Sequence, residues 1–210
     1  RSCLVGSEMC IRDRVNNIYF DNLDLDSYSE NLSGITSRNK IRLRWYDKNH
    51  APKKANLEVK IKKNSYGWKL QEEIKFPKNL NEMSWDDIKK NIITQVPEHL
   101  INRLHYSFVP VLFNNYQREY FVSKDQQIRV TFDHDIRFYD QRFSNKPNLT
   151  KYGQKLDIVI MEIKFDPSNY DLLRNSLGSI NSHLTKASKY VIGVQNLSLI
   201  HISEPTRQDR

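Results

Sequence analysis

The chain has 210 residues, 28% of them charged, with a formal net charge of +8. That length suits one domain with a single core, and no apolar run reaches the ~18–20 residues needed to span a bilayer. The basic surplus favours a polyanionic partner: nucleic acid, polyphosphate or an anionic membrane.

The two ends read as one DNA element translated from opposite strands. Glu8-Met9-Cys10-Ile11-Arg12-Asp13 can be encoded by GAGATGTGTATAAGAGAC. Its reverse complement, read one base in, encodes Ser198-Leu199-Ile200-His201-Ile202-Ser203. The element resembles transposase-adapter sequence, so 1–14 and 197–210 are expected to be adapter-derived and 15–196 to be an N-terminally truncated fragment of the native domain. Five of the 33 Lys/Arg and four of the 25 Asp/Glu lie in these ends, which leaves 28 against 21, or +7. Cys3 and Cys10 lie there too. The central chain therefore offers no disulfide, thiolate metal site or Cys nucleophile.

Residues 17–21 predict a short strand and 24–33 a helix or turn. Residues 40–46 alternate, with Ile41, Leu43 and Trp45 opposite Lys40, Arg42 and Arg44. Residues 56–63 repeat the pattern, with Leu57, Val59 and Ile61 opposite Glu58, Lys60 and Lys62. Asn64-Ser65-Tyr66-Gly67 is a turn signal, so 68–75 should complete a hairpin, with Trp68, Leu70 and Ile74 apolar and Lys69, Gln71 and Glu73 polar. Ser84 is a good N-cap for a helix over 85–94, and Pro97 opens another through 106. Strands are predicted over 109–122 and 127–133. Tyr116, Arg118 and Tyr120 share one face of the first; Arg129, Thr131 and Asp133 share one face of the second. Residues 140–153 read as a polar loop and 155–165 as one strong strand. Two further helices are expected over 167–177 and 184–191.

The informative feature is the set of faces. Any one strand with a polar face is an ordinary half-solvated strand. Here Arg42, Arg44, Lys60, Lys69, Arg118 and Arg129 recur on matching faces with Glu58, Glu73 and Glu162. If the sheet closes, they line a wet, charged lumen. Arg forks match phosphate oxygens bidentately, and Lys adds point charges. Carboxylates supply the oxygen ligands of a divalent cation.

Seven short motifs follow in order: Asn17-Ile18-Tyr19-Phe20-Asp21, Lys40-Ile41-Arg42-Leu43-Arg44-Trp45-Tyr46, Leu57-Glu58-Val59-Lys60, Tyr116-Gln117-Arg118, Arg129-Val130-Thr131-Phe132-Asp133, Met161-Glu162-Ile163-Lys164 and Ser188-Lys189-Tyr190. In this order the chain resembles the VTC domain of polyphosphate polymerases, within the triphosphate tunnel metalloenzyme superfamily. The resemblance covers residues 15–196. It implies an α+β, mainly antiparallel β fold: a triphosphate-tunnel β-barrel with flanking helices. It implies transfer of the ATP γ-phosphoryl group to a growing inorganic polyphosphate chain, with Mn²⁺ or Mg²⁺. It assigns Arg42 and Arg44 as paired phosphate-binding arginines, Lys60 and Lys69 as the hairpin lysines, and Tyr116 and Arg118 as the Tyr-x-Arg strand. Glu162 is the implied metal ligand, and Ser188 and Lys189 belong to the helix that closes on the phosphate. Arg129 and Lys164 are assigned to substrate binding. The superfamily's Glu-x-Lys-type first-strand motif does not occur here, which implies a tunnel lacking one wall. A cytoplasmic domain tied to a membrane through a partner protein is also implied.

Other readings remain beside this one. A tunnel-type triphosphatase would use the same residues with water as acceptor; Ser188-Lys189-Tyr190 favours the polymerase branch. A non-catalytic subunit would bind polyphosphate without turnover. Nucleic acid is disfavoured because no reader motif is present, and a P-loop enzyme is excluded by the lack of a Gly-rich phosphate loop. His99, His105, His134 and His183 show no ligand spacing. Trp45 and Trp68 are expected to be packing residues, while Lys53-Lys54 and Lys89-Lys90 read as solvated charges.

Overall fold

The computed structural model describes residues 8–47, 51–64, 66–166, 168 and 187–203. The strands are β1 (Glu8–Asp21), β2 (Ser37–Tyr46), β3 (Lys54–Lys63), β4 (Tyr66–Lys75), β5 (Val109–Val122), β6 (Ile128–Asp140), β7 (Gln154–Leu156) and β8 (Ile160–Phe165). The helices are α1 (Asp26–Leu32), α2 (Trp85–Ile93), α3 (Glu98–Leu104) and α4 (Lys189–Ser203). All pairings are antiparallel, in the order β4-β3-β2-β1-β5-β6-β7, with β8 also on β6. The fold is thus α+β and mainly antiparallel. The sheet is not closed among the described residues: β4 at one edge and β7 and β8 at the other do not pair. The barrel expected from the resemblance is here an open sheet with a charged face.

Alternation explains why the sheet has two different sides. On one side Ile41, Leu43, Trp45, Leu57, Val59 and Ile61 meet Ile88, Ile92 and Leu100 of α2 and α3 in the larger core. Ser84 caps α2 as its sequence predicts, its hydroxyl accepting from the Asp87 amide at 3.1 Å. On the other side Val15, Tyr19, Leu112, Tyr116 and Phe138 form a second core with Tyr190, Val194 and Leu197 of α4. Among the described residues α4 covers only part of this face, and the rest of it carries charged side chains.

Three local expectations are corrected. The strand predicted over 155–165 is broken into β7 and β8. Their shared partner β6 turns at Asp135, whose φ is +50°. β7 pairs beyond that point and β8 before it, so one straight partner cannot follow both halves. Trp68 is 43% exposed rather than packed, because it lies on the edge strand β4, although its register partner Ile61 is buried. The strand predicted over 17–21 begins earlier, with residues 8, 9 and 12–14 paired to β5 across a register shift. The helix expected over 167–177 lies outside the described residues, as does the first part of the one expected over 184–191.

Candidate functional site

Cross-strand register lines up the charged groups of the α4 face. Lys40, Lys60 and Lys69 share one row, and Tyr19, Arg42 and Glu58 the next. Arg44 stands opposite Asn17, which stands opposite Asn114. On the other half of the sheet, Arg118 faces Asp133, Thr131 faces Glu162 and Arg129 faces Lys164.

Two carboxylates organise these cations. The first is Glu58, only 4% exposed. Its Oε2 accepts from Arg42 Nε at 2.8 Å and Nη2 at 2.6 Å, and its Oε1 accepts from Lys69 Nζ at 3.2 Å. Arg44 Nε lies 3.9 Å from the same carboxylate. Burial works to raise the Glu58 pKa, but Arg42, Arg44 and Lys69 outweigh it and hold it below the ordinary value. Arg44 is fixed by buried amides: its Nε donates to Asn17 Oδ1 at 2.7 Å, and Asn17 Nδ2 donates to Asn114 Oδ1 at 2.8 Å.

The second carboxylate is Asp133, fully buried. It takes a bidentate fork from Arg118, Nε to Oδ1 at 2.6 Å and Nη2 to Oδ2 at 2.8 Å, and an ion pair from Lys189. Burial again opposes the charge, and Arg118 and Lys189 again win, lowering the Asp133 pKa. Tyr116 is buried beneath this pair, its ring centroid 4.9 Å from Lys189 Nζ and 5.4 Å from the Arg118 guanidinium. Burial pushes the Tyr116 hydroxyl up to about 12, so it stays protonated at neutral pH.

The start of α4 joins the two halves. Lys40 Nζ donates to Ser188 Oγ at 3.1 Å, next to the Lys189–Asp133 pair. Lys40 is held down to about 8, first by burial and then by repulsion from Arg38, Lys60 and Arg42. A cavity of about 470 Å³ opens beside it, lined among the described residues by Arg38, Lys40, Lys60, Lys62 and Lys69 with no acidic residue.

Most of the sequence-assigned residues therefore meet in two linked sets: Arg42, Arg44, Lys60 and Lys69 in one, Tyr116, Arg118, Ser188 and Lys189 in the other. Arg129 and Lys164 do not join them. They stand opposite each other near the outer end of β6 and β8, both exposed, with Lys164 reaching back to Glu162 at 3.4 Å. Glu162 itself is half-exposed, and Arg118 Nη2 lies 3.9 Å away. Among the described residues no three His, Cys, Asp or Glu side chains cluster as a metal cage. Glu162 differs from Glu58 and Asp133 in lacking a close guanidinium fork. A magnesium-like ion needs only one or two protein carboxylates when phosphate oxygens and waters complete its shell. Glu162 fits that demand.

Sequence reasoning missed the anchoring roles of Glu58 and Asp133, the amide pair Asn17 and Asn114, and Lys40 as a buried cation. The first two were legible in principle, as acid-base pairs across neighbouring strands, once register was known.

These features define an antiparallel sheet with one face carrying two carboxylate-anchored sets of cations. The VTC domain family model matches residues 11–198. The chain belongs to the VTC domain family, which is associated with polyphosphate polymerases. No curated protein matches the chain.

Proposed function

We propose that this domain is a metal-dependent polyphosphate polymerase, which transfers the γ-phosphoryl group of ATP to the end of a growing inorganic polyphosphate chain. One observation carries the reading: two carboxylate-anchored sets of cations share a single face, with the half-exposed Glu162 beside them. Each buried acid holds its cations in place, so the donors are preorganised without being neutralised one for one. Glu58 serves three cations and Asp133 two. The surplus positive charge is what a phosphate chain would satisfy.

In the transfer, a terminal oxygen of the acceptor chain forms a bond to the γ-phosphorus. The bond from that phosphorus to the β,γ-bridging oxygen breaks, and ADP leaves with the electron pair. The acceptor oxygen is already ionised near neutral pH, so no general base is needed. Catalysis is then alignment and charge stabilisation. Arg42, Arg44, Lys60 and Lys69 hold one stretch of phosphates, while Arg118 and Lys189 hold another. Arg129 and Lys164 extend the basic track along β6 and β8. A Mn²⁺ or Mg²⁺ ion held by Glu162 would neutralise charge on the reacting phosphates. ATP and polyphosphate are the small partners of this reading. A cytoplasmic setting beside a membrane partner protein is what the family resemblance implies for this reading.

The test is incubation with ATP and Mn²⁺, with phosphate products resolved on a gel beside Glu162→Gln and Arg42→Ala. A ladder of long chains that is lost in both variants supports the polymerase. Orthophosphate without chains replaces it with a triphosphatase. Polyphosphate binding without turnover replaces it with a non-catalytic subunit.

A further inference from the structure

Helix α4 brings Ser188 and Lys189 to the site, where they meet Lys40 and Asp133. The next residue, Tyr190, ties the same helix to the end of β1. Tyr190 is 2% exposed, and its hydroxyl donates to Asp21 Oδ2 at 2.6 Å. Asp21 is fully buried and is itself held by three backbone amides: Asn22 and Ser27 at 2.9 Å and Tyr28 at 3.1 Å. Its carboxylate is thus locked between the end of β1 and the start of α1. The Tyr190 ring stacks on Tyr19 with centroids 5.2 Å apart. Tyr19 in turn lies under the Arg42 guanidinium, 5.9 Å from ring centroid to Cζ. One turn further along α4, Gly193 lets the helix lie close to the sheet; a Cβ there would come within 2.5 Å of Leu112 and 2.7 Å of Phe138.

We propose that Tyr190 and Asp21 form a latch that positions Ser188 and Lys189 over the cationic face, so that triphosphate binding depends on a hydrogen bond that no phosphate touches. Tyr190 and Asp21 are positioning residues in this account, which rests on the phosphate-binding reading above. A plain packing contact would stabilise the domain and affect every site cation alike. A latch acts selectively on the groups that α4 carries.

That difference sets the test, a double-mutant cycle on the full chain with inorganic tripolyphosphate as the titrant. Tyr190→Phe keeps the stacked ring and removes only the hydroxyl. It should weaken binding on the order of tenfold, the usual effect of losing a hydrogen bond to a charged group. Lys189→Ala should then cost much less in the Tyr190→Phe background than in the wild type. Lys69→Ala, on the far edge strand, should cost the same in both. Asp21→Asn, which attacks the latch from the sheet side, should reproduce this pattern. Equal Lys189→Ala costs in both backgrounds would overturn the latch, as would a Lys69→Ala cost that shrinks in step. Wild-type protein that fails to bind tripolyphosphate would instead sink the reading on which the latch rests.

Discussion

Replacing Asp133 with Asn removes the charge that holds Arg118 and Lys189 together while keeping nearly the same shape. The carboxylate is fully buried, and the side chains of Arg118 and Lys189 are only 13% and 12% exposed. Solvent therefore screens this triad weakly. Breaking a buried ion pair from one side costs about 3–5 kcal/mol, because the remaining cations are left buried without a partner. In a domain of this size each kcal/mol moves Tm by about 2–4 °C, so a drop of about 10 °C is expected. The pH dependence gives an independent reading. Arg118 and Lys189 hold the Asp133 pKa below its ordinary value despite burial. Its stabilisation is therefore present in full above the unfolded pKa of about 3.9 and is lost as pH falls through the lower folded value. Urea unfolding of wild type and Asp133→Asn between pH 7 and pH 3 checks both points. The gap between them should be widest near neutrality and narrow in acid. A variant within about 1 kcal/mol of wild type at pH 7, or a gap that does not shrink in acid, would refute the anchoring role.

Glu58→Gln should also destabilise, but by less, because Lys69 is half-exposed and Arg42 partly so, and screening weakens those pairs; the same urea titration ranks the two variants. Gly193→Ala forces a Cβ against Leu112 and Phe138, both fully buried, and should cost about 1–3 kcal/mol by overpacking, seen as a fall in Tm. Lys40 has a pKa near 8, chiefly from burial and then from neighbouring cations, and a bound polyanion should raise it. Tripolyphosphate binding at pH 8.5 should therefore take up protons, measured by calorimetry in two buffers of different ionisation enthalpy. Lys40→Met should abolish that component, and proton release in the wild type would contradict the assignment.

The strands of the charged face were legible because their sequence alternates with period two. Ile41, Leu43 and Trp45 fall on the core side, and Lys40, Arg42 and Arg44 on the other, as the pleat requires. Pairing was harder to read. Arg118 meets Asp133 only because the register shifts between Asn115 and Gln117, and nothing in the local sequence marks that bulge. The break between β7 and β8 follows from the turn at Asp135, a residue that tolerates positive φ without announcing it. The Tyr190–Asp21 bond joins residues 169 positions apart, so no window along the chain reveals it. Trp68 was misjudged because alternation tells which face a residue takes, not whether a neighbouring element covers that face. The sheet is open among the described residues for a related reason: charged faces show that strands share a lining, while the pairing of the outermost edges is decided elsewhere.

The central claim is that one face of this sheet, and not the chain's general basicity, recognises a phosphate chain. Calorimetric titration with inorganic tripolyphosphate tests it most directly, comparing wild type with Arg42→Ala, Arg118→Ala and the double variant Lys89→Ala/Lys90→Ala on α2, behind the opposite face. Loss of one charge-assisted contact corresponds to about 1.5–3 kcal/mol, so each arginine variant should bind roughly tenfold to a hundredfold more weakly. The α2 lysine variant should bind like wild type. Equal losses from all three changes, or no binding by the wild type, would contradict the account.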